Sequence, residues 1–245
     1  MPDHRKHRGP HPEDTQLFAV GDSRETRLAN AVSDLSWLMG RGYASVSSSK
    51  LVGDRYNLAA RQLLAVSRCA CSDADRELRL EQRVSPDDVA YEPVWIDGYN
   101  VLTSIEAALS HGVILKARDG CFRDMASMHG SYRKVQETVP AIQMLGKAIA
   151  GWEAGPCTWL LDRPVSNSGR LKGILIEQAQ QHGWDWQVEL VADPDPILSA
   201  SEHIVVSADS QIINQASRHL NLVRIVLEQH VPDAWVIDLS GSESA

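Results

Sequence analysis

The chain is poor in cysteine, has no excess of positive charge and contains no long apolar run, and each shortage excludes something. Its four cysteines are Cys69, Cys71, Cys121 and Cys157, and only the first two are close, as C-x-C. A disulfide-stapled secreted domain carries a denser set. A zinc site wants paired C-x-x-C or Cys/His spacing. Reduced, semi-buried thiols in a cytoplasmic protein are the expectation. No apolar stretch approaches the ~20 residues that cross a bilayer, so no membrane association is expected. The basic opening MPDHRKHRGPHPED leads into no apolar segment, so no secretory signal is expected. Lys and Arg number 24 against 32 Asp and Glu, a net charge of −8. Residues 1–90 balance at 13 of each sign, and the remainder holds 11 and 19, so the acidity lies wholly in the second part. That balance argues against a protein that simply coats nucleic acid. It leaves a nuclease open, because a carboxylate site adds negative charge that bound cations offset.

A length of 245 residues suits one large domain, or a small domain plus a medium one. Residues 1–21 read as a disordered leader and 241–245 as a disordered tail. Residues 22–88 read as a small all-helical domain. Asp22 with Glu25 resembles a capping box. Leu28, Val32, Leu35 and Met39 follow at helical spacing until Gly40 and Gly42 end the helix. Residues 45–49 read as a Ser-rich turn, and Asn57 as the N-cap of a later helix. The boundary falls near 85–92. Beyond it, short apolar runs alternate with helical stretches. The runs are VWI (94–96), TWLL (158–161), VELV (188–191), HIVV (203–206) and AWVI (234–237). The helices are expected over 99–110, 137–150, 170–183 and 210–218. Strands apolar along their whole length, alternating with helices, predict an α/β domain over 92–240 with a mostly parallel sheet covered on both faces. Asp119-Gly120, between two short extended pieces, predicts a hairpin inserted at 113–124.

Three predicted strands end alike: VWI runs into Asp97, TWLL into Asp162, and HIVVS into Ala208-Asp209. In a parallel α/β sheet the strand carboxyl ends share one edge, and sites form in the crevice there. The three carboxylates are therefore expected to converge. Clustered carboxylates raise one another's pKa, and a hard cation relieves them. Mg²⁺ or Mn²⁺ suits an all-oxygen set, and such an ion can act on a phosphodiester. Singly, each Asp also fits a turn residue or helix N-cap, Asp209 most of all. Asp238 follows an apolar run too and reads as structural, as do Asp193 and Asp195 in the DPDP segment. Tyr99 stands where a phosphatase of the haloacid-dehalogenase type needs a second Asp. No G-x-G-x-x-G follows the first strand, which disfavours a dinucleotide-binding dehydrogenase.

Ile96-Asp97-Gly98-Tyr99-Asn100-Val101-Leu102 resembles the D-G-Y-N opening of PIN-like and NYN-type ribonuclease domains. Ser207-Ala208-Asp209 resembles their later S/T-x-D motif, and Leu160-Leu161-Asp162 their middle acid. The resemblance covers roughly 92–240. It implies a three-layer PIN-like domain and a Mg²⁺- or Mn²⁺-dependent ribonuclease with RNA as substrate. Asp97, Asp162 and Asp209 would be ligands, with Asn100 and Ser207 orienting groups. Such domains usually add a fourth acid, for which Glu106 and Asp124 are the candidates. The alternatives are a solvated helix position for Glu106 and pairing with Arg123 for Asp124. A catalytically degenerate binding module for RNA or protein is the second functional reading. The chain also resembles an uncharacterised prokaryotic family, domain of unknown function 434. The matching pieces are Arg41-Gly42-Tyr43, Leu51 to Tyr56, the D-G-Y-N segment, Asp119-Gly120 with Arg123-Asp124, His129 to Lys134 and Asp162 to Gly169.

Around these motifs Tyr132, Arg133 and Lys134 are candidates to stack on a base and hold a phosphate, and Arg163 to contact substrate. An exposed loop with a buried Tyr132 is the plainer alternative. Arg55, Arg61 and Arg68 form either a basic face that guides RNA or an ordinary solvated face. A homodimer is one assembly left open.

Overall fold

The computed structural model describes residues 6–18, 23–125 and 130–241. A short helix, α1 (Asp14–Leu17), precedes four longer ones: α2 (Ser23–Gly40), α3 (Ser45–Tyr56), α4 (Ala60–Cys69) and α5 (Asp73–Glu81). On α2, Leu28, Ala31, Val32 and Leu35 are buried about one turn apart, the apolar stripe its spacing predicts. The expected capping box of Asp22 and Glu25 lies outside the described residues and side chains. Residues 45–49 do not form a turn. They open α3, because serine costs a helix little and packing decides; Ser48, Val52 and Gly53 turn inward. Asn57 closes α3 instead of starting α4. It takes the left-handed conformation at φ 47°, which asparagine tolerates better than most side chains.

The second part runs β1 (Arg83–Val84), β2 (Val94–Asp97), α6 (Gly98–Leu109), β3 (Ile114–Lys116) and β4 (Phe122–Asp124). It continues with α7 (Thr138–Gly151), β5 (Cys157–Asp162), α8 (Ser168–His182), β6 (Trp186–Val191) and α9 (Pro194–Ser199). It ends with β7 (Ile204–Val206), α10 (Ser210–Gln215), β8 (His219–Leu220), α11 (Leu222–His230) and β9 (Val236–Asp238). Six strands form one sheet in the order β1-β8-β7-β2-β5-β6, and every neighbouring pair is parallel. Side chains alternate between its faces. Val94, Ile96, Trp159, Leu161, Ile204 and Val206 pack with α6, α7, α8 and α11. Leu160 and Val205, with Trp95, pack with Leu198 of α9 and Ile212 of α10. The sheet is thus covered on both faces.

AWVI contributes to a different sheet. Val236–Asp238 pairs with β3 in a three-stranded sheet ordered β4-β3-β9. The hairpin forms as expected, with β3 and β4 antiparallel. Helices α2 and α4 do not bury their apolar faces only on each other. Leu28, Leu35 and Val66 share one cluster with Leu115, Ile237 and Leu239 of that small sheet, and β1 joins the edge of the large one. The helices expected over 22–88 thus share a core with the small sheet.

Residues 6–18, the described part of the expected leader, make contacts with the rest of the chain. Arg8 Nε donates to Glu106 at 2.6 Å, His7 bonds Glu137 at 2.5 Å, and Asp14 accepts two bonds from Arg61 at 2.7 and 2.9 Å. The remaining leader residues and 242–245 of the expected tail lie outside the described residues. All four cysteines are buried and free. Burial pushes the Cys121 and Cys157 thiols up to about 12, so neither is an activated thiolate. Among the described residues no helix is long and apolar enough to cross a membrane.

Candidate active site at the carboxyl edge of the main sheet

The chain leaves β2 for β5 and β6 on one side, then returns for β7 and β8 on the other. The strand order therefore reverses at β2, and a ligand crevice is expected at the carboxyl ends there. Asp97 ends β2 and pairs in register with Leu160, so Asp162, two residues on, projects to the same face. Ile96 pairs with Val206, which sets Ser207 level with Asp97. The face they share is the one covered by α9 and α10.

The contacts agree with that register. Ser207 Oγ donates to Asp97 Oδ2 at 2.8 Å and accepts from the Asp209 amide at 3.0 Å. Asn100 Oδ1 accepts from the Ala208 amide at 2.9 Å. The first turn of α6 thereby fixes the loop that carries Asp209. Asp209 caps α10, with Oδ1 accepting from Gln211 at 2.7 Å and Ile212 at 3.3 Å. The capping role considered from the sequence is real, and Asp209 still faces the other acids.

Burial pushes the Asp97 carboxyl up to about 7, against the opposing bonds from Ser207 and the Asn100 amide. The charges of Asp195 and Asp209 add to the rise. Asp162 is half-buried and raised, by burial first and then by Asp193. Asp195 is raised by burial and by Asp209, Asp193 and Asp162. Asp97, Asp162 and Asp209 thus lie within one electrostatic neighbourhood. Asp193 and Asp195, read from the sequence as structural loop residues, lie there too. Asp193 caps α9 by accepting from the Asp195 amide at 3.1 Å, and Pro194 takes the first helical position. A cap followed by proline is a helix-start signal; the second proline in DPDP obscured it. Among the described residues no three Asp, Glu, His or Cys side chains are gathered tightly enough to grip an ion.

A neighbouring cavity of about 360 Å³ is lined by Asn100, Thr103, Ser104, Asp124, Asp209 and Arg68, among others. Asp124 is therefore the fourth-acid candidate that the fold brings beside Asp209. It does not pair with Arg123. Its Oδ2 accepts from Ser104 at 2.8 Å and Thr103 at 3.2 Å, and Arg68 lies 3.7 Å from Oδ1. Arg123 turns to Asp119 and to the Ala208 carbonyl. Glu106 is not a solvated helix residue, and its carboxyl is engaged by three side chains. It is fully buried, two turns into α6, and accepts from Tyr132 and Thr138 at 2.5 Å as well as from Arg8. Burial raises its pKa, with Arg8 opposing.

Tyr132 cannot stack on a base. It is 1% exposed, its hydroxyl is committed to Glu106, and its ring packs 5.4 Å from that of Tyr99. Arg133 and Lys134 are exposed and line a cavity of about 160 Å³ together with Arg170 and Asn167. The Asn167 amide reaches the Tyr132 carbonyl at 2.9 Å, so this basic cavity lies on the loop that follows Asp162. Arg163 is exposed and donates to the Leu190 carbonyl at 2.8 Å. His129 lies outside the described residues. Arg61 is held by Asp14 and Arg55 lies 3.2 Å from Asp34, so of the three helical arginines Arg68 alone lines the cavity beside the acids.

Residues 86–225 match the family described as Domain of unknown function (DUF5616), and residues 27–82 match Protein of unknown function (DUF434). The second match is confined to the helical layer. The D-G-Y-N segment and the pieces after it, read from the sequence as one family with that layer, fall in the first. A Methanocaldococcus jannaschii relative, uncharacterized protein MJ0935, is 27% identical over 186 residues, which is 76% of this chain and 88% of the relative. No solved structure matches the chain.

Proposed function

The chain belongs to the family described as Domain of unknown function (DUF5616), and on that premise we propose that it is a Mg²⁺- or Mn²⁺-dependent ribonuclease. The observation that carries this reading is Asp97. A carboxyl buried at the switch point of a parallel sheet, raised to about 7 with Asp195 and Asp209 acting on it, is a group that gains from a neighbouring cation. The charged donors of this neighbourhood are carboxylates, the oxygen chemistry that Mg²⁺ and Mn²⁺ prefer. Asp97, Asp162 and Asp209 would hold the ion, with Asp124 nearest as a further acid. A bound ion supplies the water-derived nucleophile and the charge stabilisation for phosphodiester hydrolysis. Asn100 and Ser207 keep the Asp97 and Asp209 segments in fixed relation through their bonds. Arg133, Lys134 and Arg170 flank the loop after Asp162 and would take backbone phosphates on either side of the scissile bond. The resemblance of the D-G-Y-N and S-x-D segments to PIN-like ribonucleases favours RNA.

A module that binds RNA or protein without cutting is the second reading. It is favoured by the spacing of the acids, which are not gathered at ligand distance among the described residues. Cleavage of mixed cellular RNA separates the two. The nuclease reading expects cleavage with Mn²⁺ or Mg²⁺, none in EDTA, and a loss of about 100-fold or more in Asp97→Asn. Cleavage that persists in Asp97→Asn, or a wild type that cuts nothing with either ion, refutes it.

A further inference from the structure

A strongly basic cavity of about 400 Å³, which shares no lining residue with the cavity beside the acids, lies between α5, β1, the β3–β4 turn, α11 and the end of β9. It is lined by Arg76, Arg83, Lys116, Arg118 and Arg224, against Asp119 and Asp238. The carboxylates do not balance the cations. Asp119 is engaged by Arg79 and Arg123 from inside, and Asp238 by Lys116 at 2.7 Å. Arg118 and Arg224 pair outward with Asp73 and Glu228, which are 80% and 50% exposed. Exposed pairs of that kind hold weakly and yield to a better anion. Arg76 and Arg83 have no ion-pair partner among the described residues.

The turn draws the cations together. Gly120, at φ +77°, is cradled so closely that a Cβ there would stand 3.1 Å from Arg224 Nη1 and 3.3 Å from Arg83 Nη2. Two guanidinium groups are thus held around one point. Arg83 Nη2 donates to the Asp119 carbonyl, while its Nε is buried with no hydrogen-bond partner. Like charges held close in a half-buried setting repel, and a buried donor left unmade costs stability. An anion bound between the two guanidinium groups relieves the repulsion.

We propose that this cavity binds a compact anion carrying two or more linked phosphates, recognised through its phosphates. Guanidinium forks match phosphate oxygens, and the volume lies in the range of small-molecule pockets. The lining includes no aromatic ring, so it offers no platform for a base. The inference does not depend on nuclease activity, since its residues and its test are separate from those of the acidic crevice.

The test is calorimetric titration of the full chain in EDTA, without divalent metal, at fixed ionic strength. The probes are pyrophosphate, adenosine triphosphate and an RNA oligomer lacking terminal phosphates. Saturable one-to-one binding of pyrophosphate is expected. It should weaken by about tenfold or more in Arg83→Gln and in Arg76→Gln, and stay unchanged in Lys50→Gln. Arg76 makes no side-chain bond among the described residues, so that variant is expected to fold as the wild type does. Equal affinity for adenosine triphosphate supports recognition through the phosphates alone, and tighter binding supports a nucleotide source of the same chemistry. Absence of saturable binding, equal binding by the wild type and both arginine variants, or binding of the RNA oligomer alone overturns the proposal.

Discussion

Asp119 is 1% exposed and accepts from Arg79 Nη1 at 2.6 Å and from Arg123 at 2.6 and 3.0 Å. Burial alone would raise its pKa. The two guanidinium groups more than reverse that and hold it well below the usual carboxylate range. The same arginines reach on to Asn214, the Ser210 carbonyl and the Ala208 carbonyl. One buried carboxylate therefore ties the hairpin to the loop that bears Asp209. A depressed carboxyl pKa contributes stability that is present above the unfolded value of about 4 and is lost as pH falls through the folded one. Asp119→Asn leaves two buried arginines without their counter-charge, which costs roughly 3–5 kcal/mol. Urea unfolding at pH 7 should show that loss, and the gap to wild type should narrow as the pH is taken below about 4. An unchanged midpoint at pH 7 would show that the network contributes nothing. Nothing in the sequence distinguished Asp119 from an ordinary turn residue, because its partners are 40 positions before it and 4 after it.

At the scale of elements, what could be read from the sequence depended on length and on what lies on each side. The strands around residues 94–96, 158–161 and 203–206 were legible because they lie inside the large sheet, covered on both faces, and are mostly apolar; the edge strand at 188–191 shows instead through its alternation of buried Val188 with exposed Glu189. β1 and β8, with two residues each, carry no periodicity. AWVI was legible as a strand, but pairing partners are not written in a local pattern, and it joined the small sheet. The glycine of D-G-Y-N has a local cause. A Cβ on Gly98 would stand 2.5 Å from Leu161 Cδ2 and 2.9 Å from the Leu160 carbonyl. The start of α6 therefore presses directly on β5, and this contact places Asp97 beside Asp162. A backbone oxygen cannot swing aside as a side-chain tip can. Gly98→Ala is expected to cost about 1–3 kcal/mol by overpacking, read as a lower midpoint in urea. A variant as stable as wild type would mean that β2 and β5 can part freely there.

At the scale of the molecule, the strand-end acids and Asp124 could be foreseen in the sequence, while Asp193 and Asp195 could not. Asp97, Asp162 and Asp209 follow apolar strands, so a parallel sheet brings them to one edge. Asp195 reaches the same edge only because α9 starts at Pro194, and Glu106 is withdrawn from it by Arg8, whose leader reads as disordered from composition alone. Such long-range pairing decides which acids face a ligand and which are structural. The most direct test of the central claim, that the strand-edge acids hold a divalent cation, is calorimetric titration of Mn²⁺ into wild type and Asp97→Asn at pH 6 and pH 8. Asp97 must shed its proton to bind, and its carboxyl is raised to about 7. Wild type should therefore bind about tenfold or more tightly at pH 8 than at pH 6, with proton release, and Asp97→Asn should lose that binding. Equal binding by the two proteins, or no binding by either at pH 8, would contradict the account.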